Sequence, residues 1–135
     1  MASGDHWWGY VSRINAHVDL DVWQLAICLA EDCSRLTSTF PHDERFGLTS
    51  QVRRSAVSIP AIIAAGHGRD QTGSFVLFLR IAMGSTRALD THLILCERFG
   101  IANSEIVEPI RDRSTRVSRM LRALIRSLEA RGERA

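Results

Sequence analysis

The sequence predicts an all-α fold, an antiparallel up-down-up-down four-helix bundle. Three observations carry that prediction. Apolar residues recur at three- and four-residue steps in four separate stretches, the period of a helix with one buried face. No β-branched run alternates with polar residues, and no Asn-Gly or Asp-Gly pair joins two apolar segments. The connections are short, so helices of this length can bury their stripes by packing antiparallel on their neighbours.

The first helix is expected from Leu20 to Thr37, with Asp19 as N-cap. Trp23, Ala26, Ile27, Ala30, Cys33 and Leu36 make its apolar stripe. Phe40-Pro41 stops it, because a residue before proline avoids helical dihedrals, and His42 to Gly47 reads as a polar loop. The second helix starts between Leu48 and Ser50 and presents Leu48, Val52, Ala56, Ile59 and Ile63 on one face. Pro60 has no N–H to offer the carbonyl of Ala56. Either the helix kinks there, or Ser58 caps a fresh turn with Pro60 inside it. Gly66 and Gly68 then end it.

The third helix, Gly73 to Arg98, is expected to bury Phe75, Phe78, Leu79, Ala82, Leu89, Leu93 and Cys96. Gly84 lies in its middle beside Ala82 and Ser85. A glycine there costs about 1 kcal/mol against alanine, so close approach of another helix is the expected compensation. Gly100 is a stop signal. The fourth helix spans Ser104 to Arg131, or begins nearer Glu108 with Pro109 as its first residue. Its stripe is Ile106, Ile110, Val117, Met120, Leu121, Leu124 and Leu128. Residues 19–135 thus form the bundle domain and residues 1–18 an N-terminal extension crowded with Trp7, Trp8 and Tyr10. The extension either covers part of the bundle or offers an aromatic patch to another subunit or partner.

Composition removes several function classes. A chain of 135 residues can bury a core without staples. No apolar run reaches the length of a membrane span. Met1 to Tyr10 has neither a basic start nor an apolar h-region, so cytoplasm is the default location. Cys28, Cys33 and Cys96 are an odd set without close pairing and read as buried, reduced thiols. The five histidines lack metal-site spacing, and no cofactor motif is present. There is no Gly-x-Ser-x-Gly, and Gly66-x-Gly68 ends a helix instead of linking a strand to one. Glu31 and Asp32 are adjacent on a helix and do not converge as a catalytic dyad would. Ser58 and Cys33 have no positioned base. No catalytic role is expected.

Charge is more suggestive. The net charge is only +2, yet all 17 basic residues are arginine. A GC-rich genome gives the same bias, but arginine's planar fork also suits phosphate and carboxylate partners. On the fourth helix Arg111, Arg116, Arg119, Arg122 and Arg126 cluster opposite Ile106, Ile110, Val117, Leu124 and Leu128, with Glu105, Glu108, Asp112 and Glu129 toward the ends. Such a face can neutralise phosphates without reading sequence. It can equally be a solvated face that pairs with acidic residues of a neighbouring subunit. Arg53, Arg54 and Arg69 bracket the second helix and are second-choice nucleic-acid contacts. A structural ion pair with Asp43, Glu44 or Asp70 is their other reading.

Leu20 to Ala26 (LDVWQLA), Phe46 to Arg54 (FGLTSQVRR), Val57 to Pro60 (VSIP), Gly66 to Arg69 (GHGR), Phe75 with Phe78-Leu79, and Ala82 to Ser85 (AMGS) make an ordered series. It resembles the small bacterial four-helix-bundle proteins encoded in intervening sequences of 23S rRNA genes, over roughly Leu20 to Leu128. The resemblance implies an antiparallel four-helix bundle assembled as a ring-like homopentamer. A related branch, the accessory variability proteins of diversity-generating retroelements, binds nucleic acid and a reverse transcriptase; this chain, with its modest charge, is closer to the general family. The family's usual Asn, Glu and Phe after the proline are Ile62, Ala65 and His67 here. The function expected is therefore a non-enzymatic, oligomeric binding or scaffold module, with RNA or DNA as the candidate ligand. The alternative is a protein–protein adaptor that binds no nucleic acid.

Overall fold

The computed structural model describes His17, residues 20–69 and residues 71–134. Among the described residues four helices follow one another: α1 (Asp21–Thr37), α2 (Leu48–His67), α3 (Thr72–Arg98) and α4 (Ser104–Arg134). A single 3₁₀ turn, His42–Glu44, lies in the α1–α2 connection. Each helix packs on its two neighbours around a square, α1 on α2, α2 on α3, α3 on α4 and α4 back on α1. Ser55 meets His92 and Ser58 meets Ser85, so α3 descends as α2 ascends. The arrangement is the antiparallel up-down-up-down bundle that the four apolar stripes predict.

The core is aliphatic. Leu29, Ile59, Ile63, Leu79, Leu89, Leu93 and Leu121 are fully buried at its centre. Each contributes about 1.5–3 kcal/mol by leaving water. All five residues expected to face inward from α2 do so. The other stripes are turned slightly from expectation. On α1 the buried set is Val22, Ala26, Leu29, Cys33 and Leu36, while Trp23, Ile27 and Ala30 are half-buried. On α3 Val76 is buried, and Phe75 and Phe78 lie at the edge. On α4 Val107 and Ile125 belong to the core, Met120 and Leu124 are half-buried, and Ile106 is 51% exposed. The centre of the square is narrow and takes branched aliphatics, so the bulky aromatics settle at the seams between helices.

Helix starts fall within one residue of those expected, and the alternatives left open at the two prolines close. Leu20 precedes α1 and makes no side-chain cap, while Asp19, the expected cap, lies outside the described residues. Helix α2 continues through Pro60, so Ser58 caps no fresh turn. Its hydroxyl donates instead to the Ser55 carbonyl at 2.8 Å and shares a hydrogen bond with the Ser85 hydroxyl across the α2–α3 seam at 2.9 Å. Helix α4 likewise continues through Pro109. It begins at Ser104, where Asn103 Oδ1 accepts the Ile106 N–H at 3.1 Å. Gly100 has φ +73°, the left-handed conformation expected just past a helix end, and the Ile101 N–H then closes back on the Cys96 carbonyl.

The close helix approach expected at Gly84 occurs elsewhere. Gly84 is exposed, and a methyl group added there would meet nothing within 4 Å. Gly66 is the tight position. It lies inside α2, not beyond its end, and a Cβ on it would stand 2.4 Å from Phe78 Cβ and 3.2 Å from Phe75 Cδ1. The absent side chain lets both rings lie against α2, where His67 meets Phe75 edge-on and the Arg69 guanidinium sits 4.7 Å from the Phe78 ring centre. Of the three departures from the family pattern, Ile62 packs at the margin of the core, His67 covers Phe75, and Ala65 faces solvent.

Two predictions follow from this packing. Gly66→Ala should cost about 1–3 kcal/mol in urea denaturation, because the Phe78 β-carbon is anchored to backbone and cannot swing away. Gly68→Ala, with only ordinary contacts at 3.7–3.8 Å, should stay within about 0.5 kcal/mol of wild type. The second concerns His92, whose Nδ1 lies 3.3 Å from Ser55 Oγ and whose pKa burial lowers from 6.5. Just below that value the unfolded chain binds a proton that the folded chain refuses, so stability falls as pH drops below about 6.5. Denaturation series between about pH 5 and 7.5 should show a shallower decline for His92→Asn.

Candidate nucleic-acid interface

Burial of Val107, Ile110, Val117, Leu121, Ile125 and Leu128 sets the rotation of α4, and that rotation distributes its arginines. Arg116, Arg119, Arg122 and Arg126 are exposed and make no ion pair among the described residues. Over this row the helix rises about 15 Å. Arg111, expected in the same row, lies on the α3 flank. Its Nε donates to Asp90 Oδ1 at 2.7 Å and its Nη2 lies 3.4 Å from Oδ2. The Asp90 hydrogen bond holds the Arg111 pKa above its ordinary value. The outer face is acidic in the first turns, at Glu105, Glu108 and Asp112, and basic from Arg116 onward. Glu129 is drawn to Arg80 of α3 at 2.6 Å.

The second-choice arginines do not join this row. Arg53 Nε donates to the buried Thr37 Oγ1 at 2.7 Å and ties α2 to the end of α1, so its structural partner is a hydroxyl and not a carboxylate. Arg54 is exposed, with no ion pair among the described residues. Arg69 is engaged with Phe78. Asp70, one of the expected partners, lies outside the described residues, as do Trp7, Trp8 and Tyr10. Arg113, which the sequence did not single out, crosses to α1 and donates to Asp32 Oδ2 at 2.6 Å, while Arg35 holds Oδ1 at 2.8 Å. Asp32 is thus an ion-pair hub beside an apolar cleft between α1 and α4, and Glu31 points to solvent.

A polar groove of about 410 Å³ runs between α3 and α4. Arg87 and Thr91 line it from α3, and Ser114, Ser118, Arg119 and Arg122 from α4, with Asp90 also on its wall. Sequence reasoning passed over these serines. The available signal was a polar residue, Ser114, on the apolar stripe between Ile110 and Val117.

Other surfaces are apolar. Val57 is 58% exposed on α2, and Leu77 and Ile81 are 56% and 48% exposed on α3. Ala61, Ala65 and Ala88 are exposed beside them. Phe46, Phe99 and Ile106 are exposed at the end of the bundle where α1 and α3 finish.

The buried thiols are poor nucleophiles. Burial pushes the Cys33 thiol to about 12 and the Cys96 thiol to about 11, so neither supplies thiolate near neutral pH. Cys28, expected to be buried, is only partly so. Among the described residues no cluster of His, Cys, Asp and Glu could hold a metal ion, and no helix is long and apolar enough to cross a membrane.

The family model of the 23S rRNA-intervening sequence protein matches residues 18–123. No curated protein sequence matches the chain. Among solved structures, the chain is similar to a protein of unknown function from the S23 ribosomal protein family of Bacteroides thetaiotaomicron VPI-5482. The two are 24% identical, the match covers 77% of this chain and 97% of that one, and the TM-score is 0.72. At that identity the likeness is one of fold.

Alkylation tests the thiol geometry. A brief treatment of the native protein with iodoacetamide near neutral pH, followed by peptide mass spectrometry, should modify Cys28 well before Cys33 or Cys96. Equal modification of all three would contradict the burial described.

Proposed function

Because this chain belongs to the family of 23S rRNA-intervening sequence proteins, we propose that it is an oligomeric helical-bundle binding protein whose ligand is nucleic acid, RNA first, held by its phosphate backbone along the outer face of α4. The observation that carries the reading is the row Arg116, Arg119, Arg122 and Arg126, four guanidiniums with no carboxylate to neutralise them among the described residues. An exposed row of this kind positions a backbone without reading bases. Arg111, Arg53 and Arg69 have contacts of their own and take at most a secondary part, and Arg54 is a separate exposed cation. The ring-like homopentamer implied by the resemblance finds support in the apolar α2–α3 face, with Val57, Leu77 and Ile81 at its centre. Helix α4 stands diagonally across from α2, so assembly through that face leaves the arginine row open.

The exposed end of the bundle, with Phe46 83% and Phe99 66% exposed, favours one other reading, a protein adaptor that binds no nucleic acid. Salt separates the two, since phosphate binding weakens steeply as salt rises and an apolar contact does not.

The test is fluorescence anisotropy of a labelled structured RNA at about 50 and 200 mM salt. Wild type should bind at the lower salt and lose most of its affinity at the higher. The double variant Arg119→Glu with Arg122→Glu should weaken binding by at least about tenfold at low salt while its circular dichroism is unchanged. Unchanged affinity in that variant removes the α4 face as the site. No binding by wild type at either salt leaves the adaptor reading.

A further inference from the structure

We propose that the groove between α3 and α4 is a built phosphate subsite, in which Ser114 and Ser118 donate hydrogen bonds to a tetrahedral phosphate whose charge is met by Arg119, Arg122 and Arg87. The inference deepens the nucleic-acid reading of α4 and rests on the same face of the helix, but its evidence is separate.

Ser114 is 2% exposed and lies on the core stripe of α4, yet its hydroxyl makes no hydrogen bond among the described residues. A buried helical serine ordinarily donates to the carbonyl four residues back. The three groove threonines do this or its three-residue equivalent. Thr86 donates to the Met83 carbonyl at 2.7 Å, Thr91 to that of Arg87 at 3.0 Å, and Thr115 to that of Arg111 at 3.1 Å. Ser114 does not, and no fully buried side-chain polar atom is left orphaned among the described residues, so a sliver of its oxygen reaches the surface of the groove it lines. Ser118, four residues on and half-buried, makes none among the described residues either. Two free donors therefore sit on the floor, one helical turn apart.

The charge above that floor suits an anion. Arg119 and Arg122 line the groove from α4 and Arg87 faces them from α3, all exposed and without an ion pair among the described residues. The groove's carboxylate, Asp90, is held by Arg111 through both oxygens. A phosphate here would exchange water for fixed hydroxyls and guanidiniums, the donor set that recognises its oxygens. The phosphate can arrive on a nucleic-acid backbone or as a free phosphate or small phosphorylated molecule.

The experiment titrates inorganic phosphate into the isotope-labelled full chain at constant ionic strength, with chloride as control, and follows the amide resonances of Ser114, Ser118 and Arg119. A saturable shift confined to the groove is expected, with Ser114→Ala and Ser118→Ala each weakening the affinity about tenfold. Circular dichroism and melting curves check that both variants fold, and Ser118, being half-buried, keeps the test valid if Ser114→Ala does not. Shifts no larger than those with chloride, or wild-type affinity in a folded serine variant, overturn the subsite. If RNA binding is still lost on reversing Arg119 and Arg122, that result leaves the nucleic-acid reading standing on the exposed row alone. A phosphate response without any RNA binding upholds the subsite, assigns it to a small phosphorylated ligand, and ends the nucleic-acid reading.

Discussion

Leu29, Ile59, Ile63, Leu79, Leu89, Leu93 and Leu121 are sealed from solvent, and their removal from water fixes the rotational setting of each helix. Every other feature follows from that setting. With its apolar stripe turned inward, α4 must send some arginines sideways to its neighbours and others outward. Turning α4 by one residue, about 100°, would pull Arg111 and Arg113 away from Asp90 and Asp32 and carry Ser114 off the groove. The site is a by-product of core packing in the geometric sense: no loop positions it, and both its walls are rigid helices.

Charged residues divide by where they fall around this frame. At the flanks, arginines find carboxylates on the adjacent helix, as Arg111 finds Asp90 and Arg113 finds Asp32. These pairs are partly exposed, so each contributes little to stability, on the order of 1 kcal/mol or less. Their larger effect is on register, because they hold α4 at a set height against α3 and α1. On the outer face no carboxylate pairs with them among the described residues, and the guanidiniums are exposed. The uneven use of one residue type, structural at the flanks and unpartnered outside, makes a nearly neutral chain locally basic.

The number of helices, their order and most boundaries were legible because helical period and capping chemistry are local. The α2 face was read residue by residue, since Leu48, Val52, Ala56, Ile59 and Ile63 are its only strong apolar series. Helix α1 was ambiguous because Trp23 and Leu29 lie on adjoining faces, and only the width of the assembled core chooses between them. Gly84 and Gly66 were indistinguishable as glycines; which one is crowded depends on where Phe78 arrives from another helix. The arginine row was visible from angular spacing, but the loss of Arg111 to Asp90 was not, because that partner is on α3. The groove was the least legible feature. It exists only between two helices, and its mark in the sequence is one serine where an aliphatic residue belongs.

An even number of antiparallel helices returns the chain to the side on which it started. The beginning of α1 and the far part of α4 therefore lie toward one end of the bundle, whereas Phe46, Phe99 and Ile106 occupy the other. The Arg113–Asp32 pair fixes the relative height of these two helices, and by that register α4 continues past the level of Asp21. The described chain therefore enters and leaves the bundle at the same pole. A label attached near Arg131 thus sits at the pole opposite Phe46 and Phe99, whose rings still face the medium.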